Sequence, residues 1–546
     1  MQALESVGGI ADRLNLYNHH TGDPGFLPND IERYRAVTPA SVLAFVREQF
    51  QPSSRVVVHA VPGEPDFGPP VPTPAASAAT GSEGAESVNA DEPWRKVTPG
   101  LSAAHALHLP AAQSARLSNG LTLILTERRS LPLVAAYLVV KSGRDANPAD
   151  APGLASFTAA MLDEGTQTRG ALQIAEEIAQ LGAGLGAGSS VDLSTVVAQA
   201  LRKNFAATLD IMADTVLRPA FPPEEIERQR LARLSALAQE RDSAGAVAGR
   251  ATAAVLYGER HPYGHPDIGT AASVKAMTRE QMTAFWKEHY VPNNAALVVA
   301  GDLSMAELRS LAEKTFGSWR AGAPHRPRLG PASSPPPRIV IVDRPGAPQT
   351  ALRVVSLGAA RASPDHDALE VMNTALGGQF TSRINLNLRE TRGYTYGASS
   401  GFQFRRSPGP FIVASGVRTD VTAPALQEIF KELRGMAEGP MPADELKRAK
   451  DALSYSLAGA FSSNAGVAGI FSDLYAYDLP LDYYTRYTER VNAVTAEQAL
   501  AVAKKYLAPE RMISIAVGDR AKIEPDLKKL NVGPIELRDV QGKPVN

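Results

Sequence analysis

The chain has 546 residues, enough for several domains, and 44% of them are apolar, so ordinary hydrophobic cores can form. Its 56 basic and 57 acidic side chains leave a net charge of −1, which gives no electrostatic attraction to nucleic acid or to an acidic membrane surface. The sequence contains no cysteine, which excludes disulfides, thiolate metal sites and cysteine nucleophiles.

The first residues, MQALESVGGIADRL, lack the basic and then apolar order of a signal peptide. No window of the chain approaches the roughly 18 uninterrupted apolar residues of a membrane span. We therefore expect neither a membrane nor a nucleic acid as a partner.

A repeat organises the chain at the scale of whole domains. In the segments 33–63, 273–302 and 490–519, a threonine is followed fourteen residues later by a proline. The threonine predicts a helix N-cap, the proline predicts the end of that helix, and the apolar β-branched run that follows predicts a strand. The residues concerned are Thr38 with Pro52, Thr278 with Pro292, and Thr495 with Pro509.

The order of elements within one repeat favours an α+β fold. The stretches 221–239 and 441–459 also correspond, since both open with proline and acidic residues suited to a helix N-terminus. Because strands and helices are grouped and do not strictly alternate, a doubly wound sheet is disfavoured. The pattern predicts helices near 153–163, 170–182, 203–216 and 223–240, and a strand near 191–200.

Changes in composition predict the domain boundaries. Residues 64–110 are rich in Pro, Ala, Ser and Gly and are interpreted as a linker. The prediction is a tail of a preceding unit (1–63), this linker, a first half-unit (111–322), a second linker (323–337), a second half-unit (338–530) and a C-terminal tail (531–546). Because the first segment matches only the end of a repeat, we expect the chain to begin inside a longer, polyprotein-like product.

Several motifs are interpreted as structural. His261 and His265 lie four residues apart, but the two prolines of HPYGHP predict a loop. The same structural interpretation applies to two other histidine pairs, His105 with His108 in the linker and His19 with His20. The glycines of LGAGLGAGSS at 181–190 follow a predicted helix and precede a strand, the reverse of a dinucleotide-binding turn, and therefore predict a helix stop.

Five stretches in the same order along the chain resemble the insulinase (pitrilysin) family of zinc metallopeptidases, especially bacterial relatives of the mitochondrial processing peptidase. Members of that family have paired α+β halves that form a clamshell around a peptide chamber. The resemblance therefore implies two homologous α+β half-units forming one side of such a clamshell. The stretches are residues 118–134, 151–166, 261–269, 343–350 and 376–402.

The stretch GLASFTAAMLDEGT at 153–166 is where this resemblance departs from an active peptidase. The family places an inverted zinc motif, His-x-x-Glu-His, on this helix, since imidazoles four residues apart lie on one face and reach the same ion. Here those positions fall on Ser156, Ala159 and Ala160, and the further glutamate ligand falls on Ala236, beside Ser235. None of these is a good zinc donor, so the resemblance implies no cofactor in this chain and zinc in a partner half.

The second half-unit keeps a pair that the family uses to hold substrate. In LRETRGYTYG, Arg389 and Tyr396 lie seven residues apart. Arg389 is predicted on the last turns of a helix that ends at Gly393, and Tyr396 on the following strand. The resemblance implies that both contact the peptide and help to stabilise the tetrahedral intermediate, whereas spacing alone also allows a surface ion pair and a packing tyrosine. Gly377 and Gly378 predict a close backbone approach at a turn.

The resemblance implies a non-catalytic, substrate-holding half of a peptidase that is active only with a zinc-bearing half, in the same gene product or in a separate chain. Peptide substrates would bind in extended form by adding a strand to a sheet edge. The alternatives are a structural subunit that has shed catalysis and a peptide-binding protein without catalysis. A periplasmic location is the first expectation and a cytoplasmic one the alternative.

Overall fold

The computed structural model describes residues 2–59, 61, 63, 93–97, 109–324, 329 and 335–545. The chain forms two compact units, one of residues 7–107 and one of residues 1–6 with 108–546. In the described part of the chain, no helix is both long and apolar enough to cross a membrane. Most of the predicted linker 64–110, with His105 and His108, lies outside the described residues.

Within residues 7–107, the described part contains three α-helices: α1 (Val7–Thr21), α2 (Leu27–Arg35) and α3 (Pro39–Gln49). His19 and His20 lie in the last turn of α1. The predicted cap of α3 is confirmed, because the Thr38 hydroxyl accepts a hydrogen bond from the Ser41 amide. The strand predicted after Pro52 is wrong. Residues 55–59 form no strand and Val56 and Val58 are exposed, because a β-branched run forms a strand only when it finds a partner strand.

The other unit contains both predicted half-units, and its α+β architecture confirms the predicted fold class. Its two six-stranded mixed sheets have the orders β1-β2-β6-β3-β5-β4 and β12-β7-β11-β8-β10-β9. The strands of the first sheet are β1 (Gln113–Arg116), β2 (Thr122–Glu127), β3 (Leu133–Val140), β4 (Gly184–Ser189), β5 (Ser194–Leu201) and β6 (Ala295–Gly301). Those of the second are β7 (Arg338–Asp343), β8 (Gln349–Leu357), β9 (Thr395–Phe402), β10 (Pro410–Arg418), β11 (Ile513–Gly518) and β12 (Ile535–Arg538).

Five strands of each sheet repeat the same pairing. In both sheets one parallel pair, β2 with β6 and β7 with β11, is followed by three antiparallel pairs. The outer strands differ, since β1 is antiparallel to β2 whereas β12 is parallel to β7. Residues 531–546, set apart as a tail in the sequence, thus supply an edge strand of the second sheet.

Helices cover these sheets. Those before the second sheet are α4 (Leu154–Ala160), α5 (Ala171–Gln180), α6 (Arg202–Leu217), α7 (Pro223–Glu240), α8 (Ala244–Tyr257), α9 (Ala271–Ala276), α10 (Arg279–His289) and α11 (Met305–Phe316). The later ones are α12 (His366–Asn373), α13 (Arg383–Asn385), α14 (Thr422–Glu438), α15 (Ala443–Ala460), α16 (Asn464–Ala476), α17 (Tyr487–Ala493), α18 (Ala496–Tyr506) and α19 (Arg520–Lys529).

The repeated threonine and proline landmarks have the predicted roles in both half-units. Thr278 and Thr495 accept hydrogen bonds from the third amide of α10 and α18, each within a capping box. Both helices end before the proline, and the buried strands β6 and β11 follow. These local signals confirm the repeat.

Each half-unit contributes one helix that packs on the sheet of the other half-unit. Successive side chains of β6 point to opposite faces, so Leu297 and Val299 pack with helices of the first half-unit, whereas Val298 packs in one cluster with α16 of the second. In return, α8 of the first half-unit packs through Val247 and Ala251 on the second sheet. Each sheet is therefore buried on both faces only when both half-units are present.

Candidate functional site

The stretch 153–166 forms the buried helix turn that its composition predicts. Gly153 has a φ of +94°, and a Cβ there would lie 2.7 Å from the carbonyl oxygen of Ile268, so only glycine fits at the start of α4. The side chain of Asn147 accepts a hydrogen bond from the Ala155 amide at 2.8 Å and satisfies a free donor of the first turn. α4 is thereby fixed in the core, and Ala159 is fully buried.

The donor set at the expected zinc position does not fit the ion. Ser156, Ala159 and Ala160 lie on or at the end of α4, and Ala236 lies on α7. Alanine has no donor atom, and the Ser156 hydroxyl already donates to the carbonyl oxygen of Asp267 at 2.6 Å. Zinc requires three or four nitrogen, sulfur or carboxylate ligands, which these residues cannot supply.

A guanidinium group lies beside these residues. Arg233 of α7 is placed three residues before Ala236, and positions three apart share a helix face. Its Nη1 donates to Ser156 Oγ at 3.1 Å and its Nη2 to the Ser156 carbonyl oxygen at 2.8 Å. The group lies 4.6 Å from the centre of the Phe157 ring, a cation–π contact.

Arg233 has no carboxylate partner among the described residues. Burial without a compensating negative charge lowers its pKa to about 10. The group remains a cation at neutral pH, so a positive charge already stands beside Ser156, the position where the resemblance places the first histidine ligand.

Both histidines of the loop 261–265 make polar contacts with backbone groups. His261 caps a short 3-10 turn, with its Nδ1 accepting from the Tyr263 amide at 3.0 Å, and His265 Nε2 lies 2.6 Å from the carbonyl oxygen of Glu259. Within the described ranges, no group of three or more His, Cys, Asp or Glu side chains is arranged to hold a metal ion. The glycines at 181–190 end α5 and enter β4, as predicted, with Gly182 in the left-handed region.

The second half-unit presents Arg389 on an irregular helix. Residues Leu386–Thr391 form a π-helix after α13, and Gly393, with a φ of +62°, ends it. A second π-helix spans Thr374–Gly378. Such wide turns recur at functional sites, because they displace side chains from the regular helical positions. Arg389 is partly exposed, 4.5 Å from the centre of the Phe380 ring and 3.5 Å from Glu390.

Tyr396 lies on β9, the edge strand of the second sheet. The pairing of β9 with β10 shifts between Ser415 and Val417, so Tyr396 and Gly397 together oppose Gly416. Such a β-bulge turns a side chain away from the regular strand direction. The Tyr396 side chain is 92% exposed, which leaves its hydroxyl free for an external ligand and disfavours the packing interpretation.

Buried polar contacts hold the helix, the glycine turn and the strand together. Asn385 is buried, donates to the carbonyl oxygen of Phe380 at 2.6 Å and accepts from the Ala398 amide at 3.0 Å. Gly377 allows the close approach that the sequence predicts, because a Cβ there would lie 2.3 Å from Ser400 Oγ. These contacts fix the backbone of the elements that carry Arg389 and Tyr396.

The geometry brings together some predicted residues and separates others. Arg389 and Tyr396 occupy consecutive elements joined at Gly393, and the exposed ring of Phe380 lies beside Arg389. The hydrogen bonds of Ser156 go to its own helix, to Asp267 and to Arg233, and none among the described residues reaches Arg389 or Tyr396. A guanidinium fork and a phenol at a sheet edge can bind a peptide carbonyl and donate to developing negative charge.

Sequence reasoning missed three contributors to these sites. Arg233 could have been found from its i, i+3 spacing to Ala236 on the same predicted helix. Phe380 lies two residues after the glycine pair, but no local pattern shows that its ring meets Arg389. Asn385 gives no signal at all, because its partners are a turn and a strand that only the tertiary structure brings close.

Two family models match the chain. The model described as insulinase (peptidase family M16) matches residues 123–256, and the model described as the peptidase M16 inactive domain matches residues 276–453. Among curated proteins, an uncharacterized zinc protease of Mycobacterium leprae is 28% identical over 399 residues, which covers 72% of this chain and 88% of the relative. An uncharacterized zinc protease of Bacillus subtilis is 22% identical over 343 residues, covering 62% and 82%.

Solved structures agree with the fold. A peptidase M16 inactive domain from Pseudomonas fluorescens has a TM-score of 0.70 and 28% identity, covering 75% of this chain and 98% of that one. A protease from Helicobacter pylori has a TM-score of 0.71, 20% identity and coverage of 75% and 100%. At 20% identity the second likeness concerns the fold alone.

Proposed function

We propose that this chain, which belongs to the insulinase family of peptidases (M16), holds extended peptides for a zinc-bearing half and binds no zinc at its own degenerate motif. One observation carries the proposal. The expected zinc position has lost its donors and has Arg233 beside it, whereas Arg389 and the exposed Tyr396 remain presented at a sheet edge.

The inactive-domain match, which runs from residue 276 to residue 453 and covers much of the second half-unit, supports this division of roles. Among the described strands, the edge strand β9 pairs with β10 alone, so a peptide can add to the sheet there through backbone hydrogen bonds. Arg389 would bind a carbonyl oxygen of that peptide, and the Tyr396 hydroxyl would donate to the oxyanion that forms when water, activated in the partner half, adds to the peptide carbonyl. No step of the hydrolysis itself would use an atom of α4.

Reconstitution with a zinc-bearing half tests the proposal. Cleavage of a fluorogenic peptide is measured for this chain alone, for the zinc-bearing half alone and for the two together. Only the mixture is expected to be active, and zinc should copurify with the other half alone. Activity or stoichiometric zinc in this chain by itself would refute the proposal.

Variants of the mixture test the substrate-holding pair. Arg389→Ala and Tyr396→Phe should each lower turnover by about a hundredfold or more, the cost of losing a donor to an oxyanion. Arg448→Ala is the matched control, because Arg448 is an exposed arginine whose ion pair among the described residues is with Asp444, and it should be neutral. Normal turnover by Arg389→Ala would favour a structural subunit instead.

A further inference from the structure

A cavity of about 280 Å³ lies between α8 and the second sheet, and four arginines line it. Arg144 and Arg250 come from the first half-unit, and Arg353 and Arg405 from the second. At this size, just below the usual range for drug-sized ligands, the cavity suits a small molecule or a single functional group.

The carboxylates of the cavity are already engaged. Glu240 accepts a hydrogen bond from Arg250 at 2.7 Å. Asp267 lies 3.2 Å from Nε of Arg144, whose Nη1 donates to a backbone carbonyl oxygen. Each of these two ion pairs is neutral as a whole. The other two arginines of the lining, Arg353 and Arg405, have no carboxylate partner among the described residues.

Arg353 and Arg405 bind only neutral groups among the described residues. Arg353 Nη2 donates to the carbonyl oxygen of Gly245 at 3.0 Å, and its Nη1 is 3.5 Å from the Thr252 hydroxyl. Arg405 is 8% exposed, and its Nη2 donates to the side-chain oxygen of Gln403, while its buried Nη1 has no hydrogen-bond partner. Two uncompensated positive charges in a partly buried cavity are costly unless an anion joins them.

The carboxylates just outside the lining are already hydrogen-bonded to other groups. Asp192 is fully buried, accepts from the Tyr477 hydroxyl at 3.2 Å and from the Arg406 amide at 2.8 Å, and is also bonded by Tyr263. Asp145 is paired with the side chain of Arg406. Burial, together with repulsion from Arg405, lowers the pKa of Arg144, and a bound anion would relieve that repulsion.

We propose that this cavity is a binding site for a small dianion, either a phosphate group or a dicarboxylate, held between the guanidinium groups of Arg353 and Arg405. Planar guanidinium forks match the oxygens of both ligand classes. Because the cavity spans both half-units, the anion would also strengthen their association. The site is independent of the peptide-holding role.

Gly249 provides a test built from this chain. It lies on α8, and a Cβ there would stand 3.5 Å from Nη1 and 3.6 Å from Nη2 of Arg353, at ordinary contact distance. In Gly249→Asp the new carboxylate would enter the cavity as an internal anion. Gly249→Asn adds the same volume without the charge and serves as the matched control.

Thermal unfolding and calorimetric titration of the full chain with phosphate and with malonate, at ionic strength matched by NaCl, measure binding. Wild type should show an anion-dependent rise in melting temperature. The ligand that binds more tightly shows whether the site prefers a phosphate group or a dicarboxylate. Arg353→Met should weaken binding by about tenfold or more, the effect of losing a charge-assisted hydrogen bond. Gly249→Asp should melt higher than Gly249→Asn without added anion and lose the response, which Gly249→Asn keeps.

Two results would overturn the proposal. One is a wild-type response to phosphate and malonate that does not exceed the response to NaCl. The other is an equal response in wild type, Arg353→Met and Gly249→Asp, which would assign the effect to general ion exclusion. If Arg353→Met does not fold, the melting temperatures and anion responses of Gly249→Asp and Gly249→Asn are sufficient to test the proposal.

Discussion

Restoring the zinc motif should fail unless Arg233 is also removed. The perturbation is the fourfold variant Ser156→His, Ala159→Glu, Ala160→His and Ala236→Glu, made with Arg233 retained and with Arg233→Ala. Arg233 Nη1 lies 3.1 Å from Ser156 Oγ, and a histidine nitrogen binds zinc at about 2.0–2.1 Å. If the histidine nitrogen takes the place of Ser156 Oγ, the ion stands within about 5 Å of a guanidinium that remains charged at neutral pH, and about 4 Å is a representative separation.

The magnitude follows from Coulomb's law. Two unit charges 4 Å apart repel by about 4 kcal/mol at an effective dielectric constant of about 20, so a zinc ion of charge two is repelled by about 8 kcal/mol. A structural zinc site contributes about 10–16 kcal/mol. The repulsion lowers the affinity by about five decades or more, and the Arg233-retaining variant should release its zinc during gel filtration.

Zinc content after gel filtration, measured by elemental mass spectrometry, and competition with a chelator are the assays. The fourfold variant with Arg233→Ala should keep about one zinc per chain, and the variant with Arg233 retained should keep almost none. Arg233→Ala alone is the control, because it removes the cation without adding donors and should bind no zinc. Equal zinc content in the two fourfold variants would refute the electrostatic reasoning.

Two further predictions concern stability. Gly377→Ala should lower the free energy of unfolding by about 1–3 kcal/mol, because its methyl group would overlap Ser400. Urea unfolding measures this loss. The control is Gly401→Ala on the same sheet edge, which has open space at its Cβ and should not cause a comparable loss. Burial outweighs the attraction of Arg406 and raises the pKa of Asp145 to about 6, so between about pH 4 and pH 6 the folded state binds a proton that the unfolded state has lost. The free energy of unfolding of wild type relative to Asp145→Asn should therefore fall by about 2–3 kcal/mol as the pH rises through this window, and a difference independent of pH would contradict the argument.

Local sequence signals predicted the helix caps and the local structure around Arg389 and Tyr396, whereas their site roles came from the family resemblance. Thr278 and Thr495 cap their helices as expected, since a cap depends on residues within one turn. The turn at Gly393 and the strand that carries Tyr396 were predicted for the same reason. The strand expected after Pro52 is wrong, because a strand also depends on a distant partner that the local sequence does not name.

The sequence by itself determined the repeat and the α+β class, because each depends on residue type and short-range spacing. The absence of zinc donors at Ser156, Ala159 and Ala160 was implied by the family resemblance that the motifs carry. Only the tertiary structure decided that α8 and α16 cross to the opposite half-unit's sheet and that Arg233 bonds to Ser156. Both faces of each central sheet are apolar, and periodicity shows that a face is buried without showing which helix covers it. That choice depends on packing between residues hundreds of positions apart.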